Sequence, residues 1–143
     1  MSSLKIANFG VPWEAGYGYS QALQMGDFVY VSGQLSHDEK GNLVGVGDFD
    51  KQVGQTYDNI AKLLKKFGAS LDDVLYETVY VTDLEKQGES LAKIHKKFFP
   101  KGRVASTAVG ITRLYFKEQL IEVSVIAVAP ARTRRKMKRR GKR

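Results

Sequence analysis

Apolar side chains recur along this chain at two spacings, and the points where one gives way to the other mark its elements. Tyr19-Ser20-Gln21-Ala22 and Phe28-Val29-Tyr30-Val31 flank Met25-Gly26-Asp27. Turn residues between β-branched and aromatic runs predict two short strands joined at Gly26-Asp27, the second closing on Ser32-Gly33-Gln34. Val53, Tyr57, Ile60, Leu63, Leu64 and Phe67 then recur at helical spacing, behind Asp48 or Asp50 as a cap and ahead of Gly68 as a stop. Leu91, Ile94, His95, Phe98 and Phe99 predict a second helix, ended by Pro100 and Gly102. Leu75-Tyr76-Glu77-Thr78-Val79-Tyr80-Val81 is dense in strand formers and is cut off by Asp83. Further strands are predicted over residues 4–7, 105–111 and 120–129, where Ile121, Val123, Val125 and Ala127 alternate with Glu122, Ser124, Ile126 and Val128. Residues 10–18, with Pro12 and Gly16, read as a loop, and residues 38–42 as a solvent-facing turn. Strands with helices interposed predict an α+β layer, one sheet covered by two helices.

The length of 143 residues and an apolar share of 43% are enough for one packed core, so one domain is expected. No cysteine is present, which excludes a disulfide, a thiolate metal site and a cysteine nucleophile. No window approaches the roughly 20 apolar residues of a membrane span, and the expectation is a soluble cytoplasmic protein.

Charge changes the picture only once it is located. The formal net charge is +8, but Arg132, Arg134, Arg135, Lys136, Lys138, Arg139, Arg140, Lys142 and Arg143 supply nine of the 23 basic residues. The 14 that remain face 15 acidic ones, so the rest of the chain is close to neutral. Residues 1–130 are therefore read as the domain and 131–143 as a basic, disordered tail able to attract nucleic acid without sequence preference.

The stretch from Tyr19 to Gln34 resembles the signature of the RidA family (YjgF/YER057c/UK114), in which a Tyr-x-Gln-Ala/Gly step precedes a strand ending Ser-Gly-Gln. The resemblance runs from about Lys5 to Val128 and implies a chorismate-mutase-like fold, a homotrimer and ligand clefts between subunits. It also implies a small-molecule substrate, a 2-imino or 2-enamino acid, whose C=N carbon is attacked by water with release of ammonia. No cofactor and no metal are implied. By resemblance Tyr19 and Ser32 are the cleft tyrosine and serine, with Gly33 beside them, and Glu122 is the glutamate that positions or activates the water.

A fourth part is replaced. Matching Arg113-Leu114 to the family's Arg-Leu pair sets Val104-Ala105-Ser106-Thr107 opposite Pro-Ala-Arg-Ser, so Ser106 stands where relatives carry a carboxylate-binding arginine. A guanidinium is a permanently charged planar fork, whereas a serine hydroxyl offers one neutral donor. Losing such a bidentate pair costs about two powers of ten in affinity. A helix asparagine of many members is likewise replaced, by Ala92. Arg103, three residues from Ser106, is a candidate substitute, although about 10 Å of extended chain separates them and a solvated loop arginine is the simpler reading.

Read without the resemblance, Tyr19 is a strand tyrosine packing its ring and Ser32 satisfies a strand end. Glu122 is more telling, because a carboxylate in an apolar strand needs solvent or a partner. His37 and His95 lack a metal-ligand pattern and read as structural or solvated. The glycines around Gly45 and Gly47 do not make a phosphate-binding loop. Three functions stay open: an imine or enamine deaminase-like hydrolase with altered substrate preference, a non-catalytic metabolite-binding trimer, and an RNA-associated protein or ribonuclease acting through the basic tail. For the last, neither a catalytic histidine pair nor a basic-aromatic platform is apparent.

Overall fold

A computed structural model describes residues 3–129; the basic tail lies outside the described residues. The elements run β1 (Lys5–Ala7), α1 (Pro12–Tyr17), β2 (Ala22–Met25), β3 (Phe28–Gln34), α2 (Phe49–Lys66), a 3₁₀ turn (Leu71–Asp73), β4 (Val74–Val81), α3 (Leu84–Phe98), β5 (Ala105–Gly110) and β6 (Ile121–Val128). The strands form one mixed sheet in the order β1-β2-β3-β6-β4-β5. All neighbours are antiparallel except β4 and β5, which run parallel with α3 as their crossover.

The alternation in β6 decides the layering. Ile121, Val123, Val125 and Ala127 are buried, and they pair in register with the equally buried Val79 and Val81 of β4 and Val29 and Val31 of β3. Paired residues point to the same sheet face. That face receives Val53, Tyr57, Ile60, Leu63 and Leu64 from α2 and Leu91 from α3. Asp48 caps α2 by accepting from the Lys51 N–H at 3.0 Å, and Asp83 caps α3 by accepting from Lys86 at 3.1 Å. Among the described residues, no element covers the opposite face. Phe28, Tyr30 and Tyr76 lie on it, each more than 40% exposed.

One element departs from the sequence reading. Residues 12–17 form a helix, not a loop. Pro12 presets its first turn, Gly18 ends it at φ +67°, and the buried Glu14 carboxylate accepts the N–H groups of Phe9 and Gly10 at 2.8 and 2.9 Å. Six residues are too few to show a helical period.

Candidate functional site

The Tyr19–Gln34 signature divides by parity into scaffold and site. Gln21 and Gln34 are buried and joined, Gln34 Nε2 donating to Gln21 Oε1 at 2.8 Å and to the Ser32 carbonyl at 3.0 Å. The Gln21 N–H donates to Asn8 Oδ1 at 2.9 Å. These bonds lock β1, β2 and β3 together at the end of the sheet where the register of β3 on β6 shifts, between Val31 and Gln34. The shift presents Ser32 and Gly33 to a cleft of about 340 Å³.

Tyr19, Ser32, Gly33 and Glu122 line that cleft together. Glu122 comes from β6, the only polar neighbour the cleft receives from that strand, and its Oε2 accepts from Gln119 Nε2 at 3.0 Å. Gly33 leaves room for the carboxylate: a β-carbon there would stand 2.2 Å from Glu122 Oε1. Ser32 donates its hydroxyl proton to the Ser20 carbonyl at 2.7 Å, so its lone pairs are what it offers the cleft. Burial holds the Tyr19 hydroxyl above the usual tyrosine range; the Glu14 and Glu122 carboxylates push the same way, and hydrogen bonds with Trp13 and Gln21 oppose them. Tyr19 is therefore a protonated donor at neutral pH.

The rest of the wall is aromatic. Trp13 meets Phe116 edge to face at 5.6 Å, Tyr115 meets Phe116 at 5.0 Å, and the Tyr17 and Tyr115 hydroxyls are hydrogen-bonded. None of these four residues stood out in the sequence, because α1 and the loop before β6 carry no period. Behind Trp13 lies His37, buried between Phe9 and Trp13 with Nδ1 donating to the Asp38 carbonyl at 2.8 Å. It is a packed core residue and not part of a solvated turn.

Ser106 and Arg103 are elsewhere. Ser106 pairs with Glu77, whose side of the sheet is the helix-covered one, and β4 separates β5 from β6. Within one chain Ser106 is thus on the opposite sheet face from Glu122. Its hydroxyl donates to Glu77 Oε1 at 2.6 Å. Arg103 sits before β5 beside Asp72, lining a shallow depression with Phe99 and Lys101.

Glu77, away from the cleft, is a buried charge that the sequence reading passed over. It is fully buried, and besides Ser106 it binds His95 Nε2 at 2.5 Å and the Tyr57 hydroxyl at 2.9 Å. Burial, then the Glu77 charge, pushes the Tyr57 hydroxyl far up. A signal was available: Val79 and Val81 share the inward parity of β4 with Glu77, so a glutamate there required partners.

The family model described as Endoribonuclease L-PSP matches residues 12–129. A RutC family protein of Pyrococcus abyssi is 36% identical over 109 residues, covering 76% of this chain and 84% of the relative. The chain belongs to the RidA family. A protein of Acinetobacter baylyi named 3-aminoacrylate deaminase RutC is 30% identical over 109 residues, covering 76% and 85%. Among solved structures, Rv2704 of Mycobacterium tuberculosis, described as a member of the YjgF/YER057c/UK114 family, superposes with a TM-score of 0.79 at 27% identity, over 88% of this chain and 99% of that one. The RidA fold expected from the signature is therefore the fold of this chain, and the six-stranded sheet with its helices is the α+β arrangement expected.

Proposed function

We propose that this RidA member hydrolyses small reactive imines or enamines in clefts between the subunits of a homotrimer, with a substrate preference changed at Ser106. The observation that carries the reading is the convergence of Tyr19, Ser32, Gly33 and Glu122, from the loop before β2, from β3 and from β6, on one aromatic-walled cleft. The name of the Acinetobacter baylyi relative, a 3-aminoacrylate deaminase, supports the same chemical class.

The chemistry needs two hydrogen-bonding functions. Glu122 accepts a proton from a water held against the C=N carbon, and Tyr19 donates to the substrate's developing polar end. Water adds to the C=N carbon, the nitrogen takes up protons, and the C–N bond breaks to leave a carbonyl and ammonia. Ser32, its proton committed to Ser20, accepts from the substrate N–H.

The trimer is part of the proposal. Phe28, Tyr30 and Tyr76 form an apolar sheet face that needs covering, and a symmetric set of identical sheets covers it at little cost. By the family resemblance, this reading sets the Ser106 edge of one subunit at the Glu122 cleft of another.

A metabolite-binding trimer without turnover is the second reading, favoured by a lining without lysine or arginine among the described residues. Ribonuclease action, which the family model's description names, finds less support: among the described residues, no histidine lines the cleft. Ammonia release, measured while an amino-acid oxidase generates imines in situ, separates the readings. Turnover that falls by at least about 100-fold in Glu122→Gln is expected for the hydrolase. Binding without turnover leaves the second reading.

A further inference from the structure

Glu122 is half-buried, and among the described residues its carboxylate takes one hydrogen bond, from Gln119 Nε2 to Oε2 at 3.0 Å. Gln119 is itself buried, and its partners orient its amide. Nε2 also donates to the Ile121 carbonyl at 3.2 Å, and Oε1 accepts from the Phe116 N–H at 3.4 Å. Acceptors at one end and a donor at the other leave a single way round for the amide, with an N–H towards Glu122. The other carboxylate oxygen lies against Gly33, where a β-carbon would stand 2.2 Å from Oε1. One oxygen thus meets the Gln119 amide, and the other the bare backbone of residue 33.

We propose that Gln119 is a positioning residue for the reaction: without touching substrate, it fixes the Glu122 carboxylate where that group takes a proton from the attacking water. The proposal rests on the hydrolase reading above and adds to it a residue that lies outside both the Tyr19–Gln34 signature and the cleft lining.

A glutamate side chain rotates freely, and contact with Gly33 closes off only one side of the space it can sweep. A single fixed donor on Oε2 selects one arrangement and leaves the lone pairs of Oε1 without a protein partner, free for a water. An amide suits this task. It has no proton that Glu122 could take and no charge, whereas a cation in its place would hold the carboxylate's own charge and weaken it as a base. The amide is held from behind by a second glutamine. Gln52 of α2, wholly buried, accepts from the Leu120 N–H at 2.9 Å and donates to the Gly45 and Glu118 carbonyls at 3.1 and 2.9 Å. The turn before β6 is thereby tied to α2, and Gln119 carries that rigidity to the carboxylate. Phe116, whose N–H Gln119 also holds, is the ring that meets Trp13 in the cleft wall.

Gln119→Met keeps the length of the side chain and removes the donor. In the oxidase-coupled ammonia assay, the full chain carrying it should lose at least about tenfold in kcat with KM changed by less than about threefold, because a misplaced base costs rate and not binding. In a Glu122→Gln background the same substitution should cost less than about twofold, since the group it positions has gone. Gln52→Met loosens the same turn without touching Glu122; it should lower the melting temperature at least as far as Gln119→Met and kcat by less. Should Gln119→Met fail to fold, Gln119→Glu carries the test. Beside Glu122 the two carboxyl groups share one proton, and the acid form donates as the amide did, so kcat relative to the unaltered chain should fall as pH rises from about 5 to 8. Equal losses from Gln119→Met in both backgrounds, a loss confined to KM, or a pH-independent ratio for Gln119→Glu overturns the positioning role and leaves the hydrolase reading standing. An unaltered chain without turnover overturns the hydrolase reading, and the positioning role with it.

Discussion

Gly33 and Glu122 occupy a space that admits only one side chain: a β-carbon on residue 33 would stand 2.2 Å from Glu122 Oε1 and 2.7 Å from its carboxyl carbon. The glycine of the Ser-Gly-Gln step is there for proximity, since its φ is not among the positive ones. The close approach sets the Glu122 carboxylate against the backbone of β3, beside Ser32.

Gly33→Ala should therefore act on chemistry more than on folding. The clashing atoms are the far end of a flexible side chain, so Glu122 swings aside and the melting temperature changes little. Ammonia release should fall by at least roughly tenfold, though by less than in Glu122→Gln, because the displaced carboxylate is still present. A variant with full turnover would show that the carboxylate position is immaterial.

In the proposed homotrimer, other copies of the chain cover the Phe28, Tyr30 and Tyr76 face. Sedimentation equilibrium should give about three times the 16.0 kDa chain mass. Tyr30→Asp, on that face, should shift the mass towards the monomer. A stable monomer of the unaltered chain at micromolar concentration would remove the inter-subunit cleft.

Tyr57 makes stability fall at high pH. Its hydroxyl titrates at about 10 in the unfolded chain and well above that when folded, because burial and the Glu77 charge disfavour the phenolate. The unfolded state therefore releases its proton first, so this contribution is complete below pH 10 and is lost as pH rises beyond it. Tyr57→Phe should be less stable by about 1–3 kcal/mol at neutral pH, where Glu77 loses a donor. The variant's denaturation midpoint should decline less steeply than that of the unaltered chain above pH 10.

Residues 132–143 carry nine cations and no acid. Deleting them should leave the melting temperature nearly unchanged and abolish retention on an anionic column. That retention should weaken steeply with salt and be indifferent to nucleic-acid sequence. A large loss of stability or of the trimer on deletion would contradict this reading.

Much of this molecule was legible along the chain. The hairpin at Gly26-Asp27, the α2 and α3 periods, and the alternation of β6 are short-range patterns, set by turn chemistry and by which positions share a face. The signature likewise put Tyr19, Ser32 and Glu122 forward as a group, and these three do line one cleft. What the linear pattern could not supply was long-range partnership. Helix α1 is too short to show a period, and it carries Trp13 and Tyr17 to the cleft only because Glu14 anchors it to Phe9 and Gly10. His95 read as one more residue on an apolar helix face, and Glu77 as one residue in a strand. Only the parallel register of β4 on β5, with α3 crossing between them, sets Glu77 beside Ser106 and beneath His95. Sequence determines which residues face inward; tertiary structure decides which inward-facing groups meet, because a buried charge takes its partners from whatever elements the sheet order brings beside it.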